Sequence, residues 1–600
     1  MATADAMAAL NEAARLFQAG DPDAARRLCE TILRERPGEV EARHLRAMAL
    51  GRLGRVEESA ADFRKAADGH AQPHVILTNL GNMLRRAGRF EEAEQAYADA
   101  VAKAPEHVDA LAALASVRFA LGKHEAARAA ADSVLARAPA HAGALNTLGL
   151  VAAADGRDDD ALAAYGRALE ARPGLVSALT NRGALLRRLG RLDDSLADLD
   201  AACRAAPAQA ESWHQKANTL RTLGRIQDAK AAFTEALKRA PTRADIHSDY
   251  ASMLWEAGES AGFLSTIDAV LTRSPEPGLC KAKARLALRA GRSETALKAA
   301  EDALKTAPDD PDGLALRGEI RRLAGDRPGG LDDLRRAHAL APEDFHIRHE
   351  MVEALLASGA FQEAAAALEG DAPLEHLQRH VALKTLAWRA LDDPRYRFFC
   401  DYERFAAKLF IDTPAGYDSI EAFNADLAAT IEELHATSAQ PLDQTLFGGT
   451  QSGGRLWNFR RPAIDALRQS LMDAARRYVA ALPDDPDHPF LMRKSADLKL
   501  TGAWSVRLFS GGGHVNHYHP AGWISASYYV QVPPEIGEHS RAGWLRLGES
   551  GVQGLDLPAE KWIRPEPGSA IFFPSYMWHG VEPFESDAVR VTAPFDLLPA

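Results

Sequence analysis

The stretch Leu80-Gly-Asn-Met-Leu-Arg-Arg-Ala-Gly88-Arg-Phe-Glu-Glu-Ala93-Glu-Gln-Ala-Tyr97-Ala-Asp-Ala-Val101 decides the fold of the N-terminal part of this chain. Apolar residues recur at helical spacing on both sides of Gly88, so the stretch reads as two helices joined by a tight turn. Glycine has no Cβ and takes a left-handed backbone at least cost, which suits Gly88 to end the first helix. Ala93 is small enough to let the second helix approach the first closely. The same signals recur along the chain. Glycines stand at 20, 54, 88, 122, 156, 190, 224, 258, 291, 325 and 359, at intervals of 34 with a single interval of 33. Prolines at 105, 139, 173, 207, 241, 275, 308 and 342 stop the second helix of most units. A small residue follows the glycine by five positions, as at Ala25, Ser59, Ala127, Ala161, Ser195, Ala229, Ala296 and Ala364. Phe263 breaks that rule and marks an irregular eighth unit. Units of this length cannot bury an apolar face alone and stack on their neighbours.

Eleven units in one register resemble the tetratricopeptide repeat. The resemblance implies an all-α superhelix over residues 1–372, with 373–389 as a capping helix or connector, and a concave surface that binds a protein or peptide partner. The alanines and leucines of the pattern are core residues, and none is assigned to ligand binding.

Near 390 the texture changes. Asp392-Asp-Pro-Arg-Tyr-Arg-Phe-Phe-Cys-Asp-Tyr-Glu-Arg-Phe405 brings in aromatics that are scarce in the repeats. Helical periodicity returns over 416–437 and 462–482. The intervening Gly448-Gly-Thr-Gln-Ser-Gly-Gly-Arg455 reads as a turn; it lacks the Gly-Lys-Ser/Thr ending of a phosphate-binding loop. From 498 onward, segments rich in β-branched and aromatic residues read as strands, among them Ile524-Ser-Ala-Ser-Tyr-Tyr-Val-Gln-Val532. On that strand Tyr528 and Tyr529 point to opposite faces, so only one lines any cavity.

Within the strand region, Gly-Gly-Gly-His514-Val-Asn-His517-Tyr-His519-Pro places three histidines in six residues, His579 follows in Met-Trp-His-Gly-Val, and Arg590 follows in Val-Arg-Val-Thr. Imidazole is the commonest metal ligand near neutral pH. A close pair of imidazoles, a distant third and a guanidinium suit a divalent metal with an anionic co-substrate, and such a set leaves coordination positions open. His517 and His519 share a face of a strand. His514, a rival ligand three residues away, belongs to the other face of a regular strand and reads either as a residue behind the ligands or as structural. Arg507 is a further candidate for the pocket.

These residues resemble the iron(II)- and 2-oxoglutarate-dependent oxygenases. The string runs His517-Tyr-His519-Pro, Trp523-Ile-Ser-Ala-Ser-Tyr-Tyr-Val530, Pro567-Gly-Ser-Ala-Ile-Phe-Phe-Pro-Ser575, His579 and Arg590-Val-Thr-Ala-Pro-Phe595. The resemblance covers about 390–600, with its specific core at 504–596, and implies a double-stranded β-helix, or jelly roll, with its core at about 498–600 and flanking helices. It implies that His517, His519 and His579 bind Fe(II) and that Arg590 grips the far carboxylate of 2-oxoglutarate. It also implies oxidative decarboxylation of that co-substrate by O2, coupled to hydroxylation of a C–H bond. The wider superfamily usually has Asp or Glu where His519 stands. Three neutral imidazoles leave the metal's full charge for the 2-oxoglutarate dianion to neutralise. The expected whole is a dioxygenase acting on a protein or peptide recruited by the repeats. The alternatives are a non-catalytic scaffold with a degenerate oxygenase domain, and a three-histidine dioxygenase that does not use 2-oxoglutarate; Arg590 speaks against the second. Residues 390–600 are expected to own a complete core and to fold apart from the repeats.

Composition narrows the classes. The net charge is −12, with acids and bases mixed, whereas nucleic-acid binding asks for a concentrated basic surface. Four dispersed cysteines make no Cys-x-x-Cys. The N-terminus lacks a signal-peptide pattern, and no apolar run reaches membrane-spanning length. The expected compartment is cytoplasmic, with no nucleic acid and no membrane.

Overall fold

The computed structural model describes residues 3–435, 441–442, 444–452, 456–459 and 461–600. By compactness the chain divides into two units, 1–185 with 194–207, and 186–193 with 208–600.

The first unit is built of helix pairs such as Pro73–Arg86 with Phe90–Lys103, and Val108–Ala120 with His124–Leu135. Every one of the eleven spaced glycines along the chain has a positive φ; at Gly88 it is +77° and at Gly122 +71°. Ala25, Ala93, Ala127 and Ala161 are fully buried at the contact between paired helices. Serine does the same work at Ser59, where its Oγ donates to the Ala47 carbonyl at 2.7 Å. Charges bind the helices of a pair together as well. Arg46 makes a two-pronged contact with Asp62 at 2.6 and 2.7 Å, and Arg182 repeats it with Asp198 at 2.7 Å for both prongs.

The second unit begins with further helix pairs. The irregular eighth repeat has a second helix of only seven residues, Ser265–Leu271, with Phe263 buried beside it. Helix Leu377–Ala390 follows the last pair. The apolar core is not interrupted there. It runs from Leu304 through Leu355, Leu383 and Tyr402 to Phe572 and Leu597 as one cluster. Trp578 Nε1 donates to the Ala382 carbonyl at 2.9 Å, and Arg389 donates to the carbonyls of Gly548 and Pro558 at 2.7 and 2.8 Å. The strand region is therefore keyed to helix Leu377–Ala390 by apolar contact and by hydrogen bonds, and its core is not self-contained.

The strands are β1 Ala407–Phe410, β2 Leu446–Gln451, β3 Leu498–Ala503, β4 Val506–His517, β5 Ile524–Gln531, β6 Leu545–Leu547, β7 Lys561–Ile563, β8 Ser569–Pro574, β9 His579–Val581 and β10 Arg590–Pro599. All pairings are antiparallel, in the order β1-β8-β5-β10-β4-β9-β6-β7, with β2 on β4 and β3 on β10. This antiparallel arrangement, flanked by helices Ile420–Leu434 and Pro462–Ala481, is a jelly roll. The glycine-rich turn expected from 448 is in part a strand: Gly448 to Gln451 belong to β2, while residues 453–455 lie outside the described residues. Glycine is needed there because a Cβ on Gly448, at φ +62°, would lie 2.7 Å from the Gly512 Cα of β4. Among the described residues, no helix is long and apolar enough to cross a membrane.

Candidate metal centre

Strand register brings the histidines together. β4 and β9 pair so that His517 stands opposite His579. β4 ends at His517, and His519 lies just beyond it, its backbone N–H donating to the Ser575 carbonyl at 2.9 Å. One ring nitrogen from each of His517, His519 and His579 falls within 4.8 Å of the others.

The hydrogen bonds on the far nitrogens decide which atoms face inward. Nδ1 of His517 lies 2.8 Å from the Val515 carbonyl, Nδ1 of His579 2.9 Å from the Met577 carbonyl, and Nδ1 of His519 2.6 Å from Asp596 Oδ1. Each partner only accepts, so each Nδ1 carries a proton, and in the neutral ring Nε2 is the atom left with a lone pair. The Nε2 atoms of His517 and His519 stand 3.3 Å apart. Two lone pairs so close repel one another, and a shared cation relieves them. Burial, reinforced by the neighbouring imidazoles, pushes His517 down to about 3 and His579 well below the usual range. Both are neutral near pH 7, the state a ligand requires.

The sequence alone does not single out Asp596. It is buried, and its Oδ1 also accepts from Ser525 Oγ at 2.7 Å; Ser525 Oγ in turn lies 2.9 Å from Ser575 Oγ. Space for this network comes from Gly522, where a Cβ would sit 2.3 Å from Ser575 Oγ. Strand periodicity is the signal available: Arg590, Thr592, Pro594 and Asp596 are alternate residues of β10, and all four line the cavity.

That cavity has a volume of about 330 Å³ and contains the three histidines, Arg590 and Tyr529. Arg590 is only 2 % exposed. Its Cζ lies 5.2 Å from the Tyr529 ring centre, and the guanidinium and the phenol interact with each other; beyond that, among the described residues neither Arg590 Nε nor the Tyr529 hydroxyl has a partner in hydrogen-bond geometry. Burial pulls the guanidinium below its usual range, against the effect of the adjacent phenol. Two buried donors without acceptors suit a carboxylate. Trp504, Leu545, Phe573 and Val581 supply apolar wall.

The other candidates sort cleanly. Tyr529 lines the cavity, while Tyr528 points away and donates to Asn424 at 2.6 Å. Arg507 is turned outward to Glu432, at 2.7 Å. His514 departs from the regular-strand expectation. The β4–β9 register shifts between His514 and His517, and this irregularity brings His514 into the cavity lining, with Nδ1 3.2 Å from Thr445 Oγ1. It is not in the converging group of three.

Comparison with known families agrees with this geometry. Residues 10–73, 78–142, 113–176, 146–210, 214–276 and 281–345 match a family model described as "Tetratricopeptide repeat". The chain belongs to the tetratricopeptide-repeat family. Residues 502–596 match a second model, described as "Putative 2OG-Fe(II) oxygenase", so the chain is a fusion of such repeats with a domain of that type. No curated protein matches it. Among solved structures, a thermophilic repeat protein from Thermus thermophilus is 25% identical over 30% of this chain and 99% of its own, with a TM-score of 0.29. Human IFIT1, solved as a dimer with PPP-AAAA, is 17% identical over 55% of this chain and 89% of its own, at 0.36. YrrB, described as having an unusual peptide-binding site, is 20% identical over 30% and 94%, at 0.23.

Proposed function

We propose that this protein is an Fe(II)- and 2-oxoglutarate-dependent dioxygenase that hydroxylates a protein or peptide recruited by its repeats, and that it works in the cytoplasm. The observation that carries this reading is the pairing, in one cavity, of three inward Nε2 lone pairs with the unpartnered donors of Arg590 and Tyr529. His517, His519 and His579 fit a divalent metal by donor type and by convergence, and His517 and His579 also by their neutral state. Arg590 and Tyr529 fit the far carboxylate of 2-oxoglutarate. Bound iron and 2-oxoglutarate together supply oxidation by O2, with succinate and CO2 as the by-products.

The chain's own residues have distinct tasks. Asp596 fixes the tautomer and the ring plane of His519 and makes it a stronger donor, as carboxylates behind ligating histidines do. The negative charge that a ligand carboxylate brings elsewhere is thus retained behind His519. Arg590 and Tyr529 orient the co-substrate from the opposite end of the β10 face. Trp504, Phe573 and Leu545 keep water from the reacting atoms. The domains proposed are the repeats, 1–372, a connector, 373–389, and the oxygenase-type domain, 390–600, leaning on helix Leu377–Ala390.

The test is metal analysis of the purified chain, together with succinate release from 2-oxoglutarate under O2. The reading predicts one bound divalent metal and iron-dependent succinate. Metal without succinate would favour a three-histidine enzyme that does not use 2-oxoglutarate. Neither metal nor succinate would favour a scaffold.

A further inference from the structure

The segments that carry the histidines run off the sheet. β4 ends at His517, so Tyr518 and His519 lie beyond it, and Trp578 stands just ahead of β9, which begins at His579. The β4–β9 register shifts between His514 and His517 and leaves His517–His579 as the last pair of that ladder. Strand pairing alone therefore does not fix where the three imidazoles point.

Two aromatic side chains supply a further hold. Tyr518 lies between His517 and His519 in the chain, and Trp578 immediately precedes His579. Their rings meet edge to face, with 5.1 Å between centres and 74° between planes. Gly551 leaves room for the indole, since a Cβ there would lie 2.3 Å from Trp578 Cζ3. Both rings are tied to helix Leu377–Ala390. Trp578 Nε1 donates to the Ala382 carbonyl at 2.9 Å, and both residues are buried. Three residues earlier, on the same face of that helix, the Arg379 guanidinium interacts with the Tyr518 hydroxyl. Arg379 is itself held by three side chains of helix Phe345–Ala357, the first helix of the last repeat. It donates through Nη2 to Glu350 Oε1 at 2.6 Å and to Glu353 Oε1 at 2.7 Å, and its Nη1 lies 3.3 Å from His346 Nδ1. A planar guanidinium pinned in this way is a fixed point for the hydroxyl that meets it.

We infer that helix Leu377–Ala390 positions the metal ligands, with Arg379 acting through Tyr518 and the Ala382 carbonyl through Trp578. The last repeat thereby sets the geometry of the metal centre as well as supporting the sheet. The inference rests on the metal centre proposed above. Three imidazoles grip one ion well only when each is placed within about 0.5 Å, and groups behind metal ligands change metal affinity by about ten- to a hundred-fold. Tyr518 and Trp578 act through the backbone of their histidine neighbours, so the low end of that range applies. They are positioning residues.

The experiment is titration of the full chain with cobalt(II), followed by the visible absorption of the bound ion, with a thermal melt of each variant. Tyr518→Phe keeps the ring and removes the hydroxyl. It should weaken cobalt binding by about ten-fold and alter the absorption band. Trp578→Phe, which removes the bond to Ala382, should act in the same direction; if it fails to fold, Tyr518→Phe decides alone. Tyr528→Phe is the control. It deletes another buried hydroxyl bond of the same sheet, 2.6 Å to Asn424, in a segment that carries no ligand. It should lower the melting temperature at least as much as Tyr518→Phe and leave cobalt affinity and spectrum as in wild type. Arg379→Lys keeps a charge beside Glu350 and Glu353 but loses the planar fork. It should reproduce the Tyr518→Phe spectrum, and the double variant should match either single one. The inference is overturned if Tyr518→Phe binds cobalt with wild-type affinity and spectrum, if Tyr528→Phe disturbs the ion equally, or if the Arg379→Lys and Tyr518→Phe effects add in full. A wild type that binds no cobalt overturns the metal centre and this inference with it, whereas variants that match a cobalt-binding wild type overturn the inference alone.

Discussion

Three arginines of the repeats and Arg590 of the sheet are treated in opposite ways. In the repeats Arg46, Arg182 and Arg317 each close a two-pronged contact with an aspartate sixteen residues on, at 2.6 to 2.7 Å. These pairs cross from one helix to its mate, and the same device recurs because the unit recurs. In the sheet Arg590 is more deeply buried than any of them, and among the described residues no carboxylate faces it. A buried guanidinium without a partner is costly. On the proposed function, that cost is met when the carboxylate of 2-oxoglutarate binds. The lesson extends to histidine: His349 and His380 turn toward one another, with His349 Nε2 3.1 Å from His380 Nδ1, whereas one ring nitrogen from each of His517, His519 and His579 converges on one point.

The contrast also predicts how damage spreads. Repeats depend on their nearest neighbours, whereas the sheet depends on helix Leu377–Ala390. A fragment starting at 390 should lose Ala382 and Arg389 as partners, expose the Trp578 face and fail to give a cooperative melt. A fragment starting near 311 should melt cooperatively and retain metal. A stable, metal-binding fragment from 390 would show that the shared core is dispensable.

Acid should act next most strongly, and at the junction. Burial, with nearby positive charge, lowers His349 to about 2 and His380 to about 4. The unfolded chain binds protons on both near pH 6.5, so their contribution is fully present above that pH and is lost as pH falls toward 4. The loss is on the order of 3 kcal/mol for each of the two by pH 4. The drop in urea midpoint between pH 7 and pH 4 should therefore shrink in His349→Leu/His380→Leu. An equal drop in wild type and variant would count against it.

A single repeat turn should matter less. Gly122 has φ +71° and open space around it, so Gly122→Val strains backbone alone. The cost should be ~1–3 kcal/mol, seen as a lower melting temperature. No change would mean that the turn relaxes freely. Smaller again is Asp596→Asn, which keeps an acceptor for His519 but removes the charge. Metal affinity should fall by about ten-fold, with the fold and the Arg590 end unaffected. Unchanged metal affinity would reduce Asp596 to a packing residue.

These regions differ in how far they are legible before folding. The repeat is plain because the same small residue and the same glycine recur at one offset, and local geometry is all that a repeat needs. His517, His519, His579 and Arg590 stand out by type and spacing. Asp596 does not, because its role depends on a register that pairs β10 with β5 and sets it beside Ser525. His514 escapes a sequence reading because the β4 irregularity breaks simple alternation. The Gly448–Gln451 strand reads as a turn because its glycines serve close backbone contact with Gly512, a constraint that lies in another strand.

On the proposed function, the guanidinium of Arg590, which has no carboxylate partner among the described residues, is reserved for 2-oxoglutarate. Calorimetric titration of 2-oxoglutarate into the metal-loaded, oxygen-free chain tests it most directly, with Arg590→Ala alongside. Arg590→Ala should keep the metal, because the three imidazoles are intact. Its affinity for 2-oxoglutarate should fall by about ten- to a hundred-fold, since a charge-assisted hydrogen bond contributes roughly 1.5–3 kcal/mol and each decade is about 1.4 kcal/mol. Equal affinity in wild type and variant, or no binding in either while the metal is held, would contradict the account.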